Sequence, residues 1–255
     1  MKRVLFFLYG VVCYLIFFGT FLYAIGFIGN VFVPTALDGE ATTPFVQALL
    51  INTLLLGVFA IQHSGMARPT FKKVWTKVVP VPIERSTYVL LSSICLIVMF
   101  KYWEPMGGVI WNVENTIGQA ILYSLFAFGW LLVLIATFLI NHFDLFGLRQ
   151  VWLYLRGKEY THLKFGTPWL YKYVRHPLYV GWFFAFWATP TMTVAHLIFS
   201  IATTAYILIA IQLEERNLIE HFGDKYANYR KDVPMLIPSF KNNVAKNFQP
   251  ETISK

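Results

Sequence analysis

Long runs of apolar residues dominate the chain, and short polar segments separate them. Six runs stand out, at residues 4–33, 45–63, 88–100, 118–140, 177–190 and 193–213. A helix needs about 20 apolar residues to cross the hydrocarbon core of a bilayer, and several of these runs approach or exceed that length. The pattern predicts an all-α membrane helix bundle with about six membrane segments, the last two forming a helical hairpin.

Composition supports this fold class. The 255 residues are 57% hydrophobic and only 13% charged, well outside the range of soluble globular domains. We expect a single transmembrane domain over residues 1–240 and a polar C-terminal tail over residues 241–255. The sequence leaves the oligomeric state open.

Lys and Arg residues fall almost entirely on one side of the predicted bundle. Two precede the first run, five lie in residues 68–85, six in 149–175 and seven in 216–255, so that Lys101 alone lies on the other side. Because cytoplasmic loops carry an excess of Lys and Arg, we expect an integral multi-pass protein of a bacterial inner membrane with both termini cytoplasmic. The net charge of +8 then indicates contact with anionic membrane lipids rather than nucleic acid.

Charged residues gather where the predicted hairpin opens. The stretch VRHPLYVG begins the fifth run, and two glutamates follow the sixth. Its proline suits the first turn of a helix, where a missing N–H costs nothing. An antiparallel hairpin therefore places Arg175, His176 and Tyr179 opposite Glu214 and Glu215.

This arrangement suits a zwitterionic nucleoside. A helix start beside Arg175 and His176 favours a carboxylate, and the glutamates opposite can accept hydrogen bonds from a ribose diol or an ammonium group. A simpler interpretation is that Arg175 and one glutamate form a salt bridge that only holds the hairpin closed. The pattern leaves both interpretations open.

The motifs then point to a family. RHPLYVG and EERNLIEHFGDKYANYRKDVPMLIP resemble the isoprenylcysteine carboxyl methyltransferase and phospholipid methyltransferase superfamily, while QHSGMARPTFKK and INHFDLFGLRQVWLYLRG are similar to its bacterial membrane methanethiol S-methyltransferases. The resemblance implies methyl transfer from S-adenosylmethionine to a small thiol, methanethiol giving dimethyl sulfide. It implies that the cofactor is bound by Tyr171, Arg175, His176, Pro177, Tyr179, Gly181, Glu214 and Glu215.

One position departs from the superfamily pattern. Trp169 stands two residues before Tyr171, where the superfamily usually has glycine. We expect the bulky side chain to narrow the pocket, as a small substrate would require.

Methyl transfer from a sulfonium is an in-line displacement in which the protein mainly positions the reactants, and no metal is expected. A thiol is mostly protonated at neutral pH, so a base is useful. His142 is the first candidate, with Asp144 orienting its imidazole or balancing its charge. His63 is the second, while His176 is a more plausible cofactor contact. A helix cap at His142 and an interfacial histidine at His63 are the alternatives.

Three other functions fit parts of the sequence. The wider superfamily includes isoprenylcysteine and phospholipid methyltransferases, which would need a lipid tunnel between the helices. A looser version of the hairpin motif occurs in membrane sterol reductases that use NADPH. A transporter is disfavoured because the centres of the predicted spans carry almost no ionisable residues.

Overall fold

The computed structural model describes residues 1–163 and 165–238, so the predicted tail at 241–255 lies outside the described residues. The helices are α1 (Lys2–Gly29), α2 (Phe45–Ala67), α3 (Pro69–Trp75), α4 (Val81–Tyr102), α5 (Thr116–Ile140), α6 (His142–Leu145), α7 (Leu148–Leu155), α8 (Pro177–Trp187), α9 (Val194–Phe222) and α10 (Asp224–Asp232). A 3₁₀ turn covers Trp169–Lys172, and two short strands are β1 (Val109–Asn112) and β2 (Thr191–Thr193). The predicted all-α class is confirmed.

Five helices in the described part of the chain are long and apolar enough to cross a membrane, namely α1, α2, α4, α5 and α9. On α1, Leu5, Leu8, Val12, Leu15 and Leu22 are exposed. Their spacing of three, four or seven residues places them on one helix face, which suits contact with lipid. The chain is a multi-pass membrane protein.

The short segment at residues 177–190 is not a complete membrane helix. Helix α8 has 11 residues, or about 16 Å at 1.5 Å per residue. The Thr189 N–H donates to the carbonyl oxygen of Trp187 and Pro190 lies in a bend, so the chain turns directly after the helix. Residues 191–193 form β2, which pairs antiparallel with β1 and adds roughly 10 Å at about 3.3 Å each. Since β1 follows α4, β2 lies at the end of the bundle away from the basic loops.

The last carbonyl groups of a helix that ends at membrane depth need hydrogen-bond partners, because lipid offers none. The carbonyl oxygen of Phe186, near the end of α8, accepts a bond of 2.7 Å from Ser200 Oγ and lies 3.0 Å from His196 Nε2. The other ring nitrogen of His196 lies 3.0 Å from Asp38 Oδ2. His196 thus provides a hydrogen-bond partner for the end of α8 and connects it to Asp38, which is a structural role.

Helix α8 packs on α5 at a contact between two glycines. A Cβ atom at Gly129 would lie 2.7 Å from the carbonyl oxygen of Gly181, and one at Gly181 would lie 2.8 Å from that of Gly129. These distances exclude any side chain, so the two backbones approach closely. The contact fixes the middle of α8 beside the middle of α5.

Three boundaries differ from the apolar runs. Helix α4 begins at Val81 rather than near residue 88, and the connection between α8 and α9 has six residues rather than two. Helix α9 continues to Phe222, so Glu214 and Glu215 lie within it and not beyond its end. Apolar runs mark the part of a helix in lipid, whereas backbone hydrogen bonding continues into the polar turns at the membrane surface.

Candidate active site

Glu215 is the centre of the charge cluster at the open end of the hairpin. It is buried, with 1% of its surface exposed. Its Oε1 accepts a hydrogen bond of 2.7 Å from Arg175 Nε and lies 3.0 Å from His176 Nε2, and its Oε2 lies 3.0 Å from Arg230 Nε. Both oxygens of this buried carboxylate are therefore paired, as burial of a charge requires. Through these contacts Glu215 connects α9 to the start of α8 and to α10.

The segment after α10 lies directly across the start of α8. We call residues Val233–Leu236 the strap. The backbone N–H of Arg175 donates to the carbonyl oxygen of Pro234 at 2.9 Å, and that of His176 donates to Met235 at 3.2 Å. The two N–H groups directly before α8 are thus bonded to the strap, so they are not available to a carboxylate of the cofactor as the sequence predicted.

Glu214 differs from the adjacent Glu215 in its exposure to solvent and in its hydrogen-bond partner. Its side chain is exposed, and its Oε2 accepts a hydrogen bond of 2.9 Å from Tyr179 Oη. The Tyr179 hydroxyl is the donor in this contact, because a carboxylate only accepts. Of the two glutamates, Glu214 is accessible to a ligand, whereas both carboxylate oxygens of Glu215 are bonded to side chains of the protein.

Buried phenols line the same end of the bundle. Tyr229 Oη donates a bond of 2.6 Å to the carbonyl oxygen of Tyr171. Burial is the largest cause of the raised pKa of Tyr171, Tyr226 and Tyr229, and nearby charges such as Glu214 add to it. These groups remain neutral hydrogen-bond donors at physiological pH.

The backbone at Trp169 explains why glycine is usual there. Its φ angle is +34°, in the left-handed region that favours glycine. The side chain is 61% exposed. The side chain is thus outside the packed interior, and its effect on the pocket stays a prediction.

Pro177 and Gly181 both serve the packing of α8. Pro177 is buried at the first turn of the helix, as its sequence context predicted. Gly181 faces α5 at the glycine contact described above. Their contact with a cofactor stays a prediction.

His142 and Asp144 do not form the expected pair. The ring of His142 is buried, with Nδ1 2.8 Å from Thr137 Oγ1 and Nε2 2.9 Å from Tyr14 Oη. Asp144 Oδ1 instead accepts a bond of 2.8 Å from Arg149 Nη1. Asp144 therefore neither orients nor balances the imidazole, because its carboxylate is turned toward the basic loop. Burial lowers the pKa of His142, which keeps the ring neutral.

His63 lies in a different polar cluster, between α2 and α4. Its Nδ1 is 3.0 Å from Tyr88 Oη and 3.2 Å from Ser92 Oγ, and its ring stacks on Phe59 at 5.2 Å between centroids. On the neighbouring helix α9, Tyr206 Oη lies 2.9 Å from Ser64 Oγ.

Tyr88 and Tyr206 thus contact neighbouring residues of α2, and Tyr206 precedes Glu214 on α9 by eight residues, or about 12 Å along the helix axis. The sequence pattern alone marks neither tyrosine as a site residue, since tyrosines near membrane boundaries are ordinarily anchors. The available signals were the polar stretches QHS at residues 62–64 and PIERSTY at residues 82–88. Within the described residues, no three His, Cys, Asp or Glu side chains form a group that could hold a metal ion.

Comparison with known proteins places the chain among thiol methyltransferases. It is 61% identical over 238 residues to a methanethiol S-methyltransferase from Crocosphaera subtropica, covering 93% of both chains. It is 52% identical over 238 residues to one from Mycobacterium tuberculosis, covering 93% of this chain and 98% of that protein. The chain belongs to the methanethiol S-methyltransferase family. This confirms the family resemblance of its motifs.

More distant similarity extends beyond that family. Nurim from Xenopus laevis is 30% identical over 223 residues, covering 79% of this chain and 78% of that protein. No protein-family model and no solved structure matches the chain. Membership of the methanethiol S-methyltransferase family favours the leading sequence prediction over the lipid methyltransferase, reductase and transporter alternatives.

Proposed function

We propose that this protein transfers a methyl group from S-adenosylmethionine to methanethiol, giving dimethyl sulfide, at the basic end of the helix bundle. Membership of the methanethiol S-methyltransferase family supports the reaction. The observation that carries the site is the division between the two glutamates. Glu215 holds the hairpin together, while Glu214, next to a protonated phenol, is accessible at the same place.

The residues at the hairpin opening fit the cofactor chemically. Arg175 uses Nε for Glu215 and Nη1 for the carbonyl oxygens of Arg230 and Val233, so its Nη2 is not needed for these contacts and can pair with a carboxylate. Glu214 can accept from a ribose diol or an ammonium group. When bound, the cofactor supplies a methyl group on a positively charged sulfur.

The other residues predicted to bind the cofactor position Arg175 and Glu214. Tyr179 holds the Glu214 carboxylate in place, and the Tyr171 backbone is fixed by Tyr229. His176 acts through Glu215, which it contacts at 3.0 Å. Pro177 and Gly181 set the start of α8 and its distance from α5.

We take His63 as the base in place of His142, because the expected pair of His142 and Asp144 does not form. Both ring nitrogens of His142 are bonded to side chains from α1 and α5, and Asp144 pairs with Arg149. His63 contacts the hydroxyl of Tyr88, which lies 3.0 Å from Nδ1 and 3.2 Å from Nε2. A base in contact with the acceptor thiol contributes about 10²–10⁴-fold to such reactions.

The location of the site suits both reactants. The cofactor is charged and arrives from water, whereas methanethiol is apolar enough to arrive through lipid. We place the basic end, and with it both termini, in the cytoplasm of a bacterium, with the bundle in the inner membrane. Reporter fusions that put the end of α10 outside the cytoplasm would contradict this orientation.

The central experiment combines binding and turnover on the purified protein in detergent. Headspace gas chromatography should detect dimethyl sulfide from methanethiol and S-adenosylmethionine. Calorimetric titration should show binding of S-adenosylhomocysteine but not of NADPH. Binding of NADPH instead, with no dimethyl sulfide, would refute the proposal in favour of the reductase.

Glu214→Gln is the variant that tests the site. It should lose binding of S-adenosylhomocysteine while the protein stays folded. Glu220→Gln is the matched control, because Glu220 is an exposed glutamate on the same helix whose contact is a surface ion pair with Arg216. Equal binding by both variants would remove Glu214 from the cofactor site.

A further inference from the structure

One face of α8 continues from the proposed cofactor site into the core of the bundle. Tyr179, Trp182 and Phe186 are three and four residues apart, and this spacing places their side chains on the same side of the helix. The row begins at the hairpin opening, where the Tyr179 hydroxyl donates to Glu214 at 2.9 Å. Trp182 follows about 4.5 Å deeper, at 1.5 Å per residue. Tyr179 and Trp182 pack against the same hydrophobic core, so the row connects the cofactor residues to that core.

Accessibility decreases along this row. Tyr179 and Trp182 are partly accessible, whereas Phe186 is only 7% exposed. On α9, the other helix of the hairpin, the same change runs from the exposed Glu214 to Ile211, which is completely buried. The two helices therefore border a short cleft that is open at Glu214 and closed by apolar side chains. A cleft of this kind suits an apolar ligand of few atoms.

Neighbouring rings hold Trp182 at the closed end of the cleft. Its ring lies 5.1 Å between centroids from that of Trp130 on α5, in an edge-to-face contact, and stacks on Phe186 at 5.2 Å. Phe186 contacts Phe199 of α9 at 5.3 Å, and Trp130 contacts Phe21 of α1 at 5.3 Å. Because these rings are packed together, Trp182 cannot move aside for a longer ligand without disturbing its neighbours.

One polar group in this apolar region has no partner. Trp130 is 5% exposed, and its indole N–H has no hydrogen-bond acceptor among the residues that the structure describes. A buried indole N–H ordinarily finds an acceptor, because leaving it unpaired costs free energy. The sulfur of a small thiol can supply one, and it accepts more strongly as it becomes a thiolate.

We propose that Trp182 and Trp130 form the acceptor pocket for methanethiol, an inference that rests on the proposed function. The Trp130 N–H donates a hydrogen bond to the sulfur. The ring of Trp182 limits the length of the alkyl group, so that a single methyl group is accommodated and longer chains are excluded. The pocket adjoins Tyr179 and Glu214, and the acceptor therefore lies next to the cofactor.

Trp182→Ala tests the size limit, with Trp187→Ala as the matched control. Trp187 is on the same helix, but it lies about 140° around the axis from Trp182, and its indole N–H donates to Thr204 at 3.0 Å. We expect Trp182→Ala to raise the ratio of kcat/KM for propanethiol to that for methanethiol by about 10- to 200-fold, the discrimination that a methylene group provides in an apolar pocket. Trp187→Ala should leave this ratio within a few-fold of the wild type.

The ratio of two substrates does not depend on the fraction of folded protein, so instability of a variant does not imitate the effect. Trp182→Phe keeps a ring at this position and is the second variant. It should raise the same ratio by less than Trp182→Ala does. Headspace gas chromatography of the two methyl alkyl sulfides measures both rates.

Trp130→Phe tests the hydrogen bond to sulfur. The substitution keeps an aromatic ring beside Trp182 and removes the N–H. We expect kcat/KM for methanethiol to fall by about tenfold, as the loss of one such bond implies. Calorimetric affinity for S-adenosylhomocysteine should be unchanged, which distinguishes a loss of the acceptor contact from a loss of the fold.

An unchanged thiol ratio in Trp182→Ala and Trp182→Phe would overturn the inference while leaving the proposed function intact, and so would an equal change in Trp187→Ala. Wild-type kinetics of Trp130→Phe would overturn the role of its N–H, which would then face only the ring of Trp182. If the wild type bound S-adenosylhomocysteine but formed no dimethyl sulfide, the proposed function would fall and the inference with it.

Discussion

Replacing Glu215 should destabilise the fold, whereas replacing its neighbour Glu214 should abolish only ligand binding. Glu215→Ala removes the carboxylate that pairs with Arg175, His176 and Arg230. The side chains of Arg175 and His176 are only 10% and 6% exposed, so Arg175 Nε and His176 Nε2 would remain buried without an acceptor. The two variants, one residue apart on α9, therefore separate a structural role from a binding role.

The magnitude follows from which partners are buried. Removing one partner of a buried ion pair costs about 3–5 kcal/mol, because the remaining charge is left uncompensated. Arg230 is 45% exposed, and an ion pair of this kind contributes about 0–1 kcal/mol. We therefore expect Glu215→Ala to lower the free energy of unfolding by about 3–5 kcal/mol, and Arg230→Ala by no more than about 1 kcal/mol.

Reversible unfolding by sodium dodecyl sulfate in mixed micelles, followed by circular dichroism, measures these differences. Calorimetric titration with S-adenosylhomocysteine on the same preparations measures binding. An unfolding free energy of Glu215→Ala within about 1 kcal/mol of the wild type, with ligand binding lost, would refute the reasoning. Glu215 would then be a direct ligand contact, and its ion pairs would contribute little to the hairpin.

Three other outcomes follow from the structure. His63→Ala should lose most methyl transfer, whereas His142→Ala should keep most of it, as headspace gas chromatography will measure; the opposite ranking would restore His142 as the base. Burial lowers the pKa of His142 below its ordinary value of 6.5, so this histidine takes up a proton in the unfolded protein before it does in the folded one. The stability that depends on neutral His142 is therefore present above pH 6.5 and is lost as pH falls below it. The unfolding free energies of the wild type and His142→Gln should converge in acid, and parallel curves of unfolding free energy against pH would contradict this. Gly181→Ala should destabilise the protein by about 1–3 kcal/mol, since its Cβ would lie 2.8 Å from a backbone oxygen of α5. Gly57→Ala is the control, because a Cβ there meets nothing within 4 Å, and it should be neutral or slightly stabilising in the same unfolding by sodium dodecyl sulfate.

Some features follow from the sequence because they depend on local physics. The apolar runs predict the membrane helices, because a bilayer requires about 20 consecutive apolar residues whatever the tertiary packing. The motif VRHPLYVG predicts a helix start at Pro177, because the ring fixes φ and the missing N–H costs nothing there. The clustering of Arg175, His176 and the glutamates also follows, since an antiparallel hairpin brings its open ends together.

Other features depend on which surfaces meet, and the tertiary structure alone decides them. The sequence gives no sign that Glu215 is buried among three cationic or titratable partners while Glu214 is exposed, because one step along a helix turns a side chain by 100° and only the neighbours decide which direction is interior. His142 and Asp144 are close in sequence but point to different partners for the same reason. Tyr88 and Tyr206 lie over a hundred residues apart in the sequence. They contact the adjacent residues His63 and Ser64 only because α2 packs against both α4 and α9.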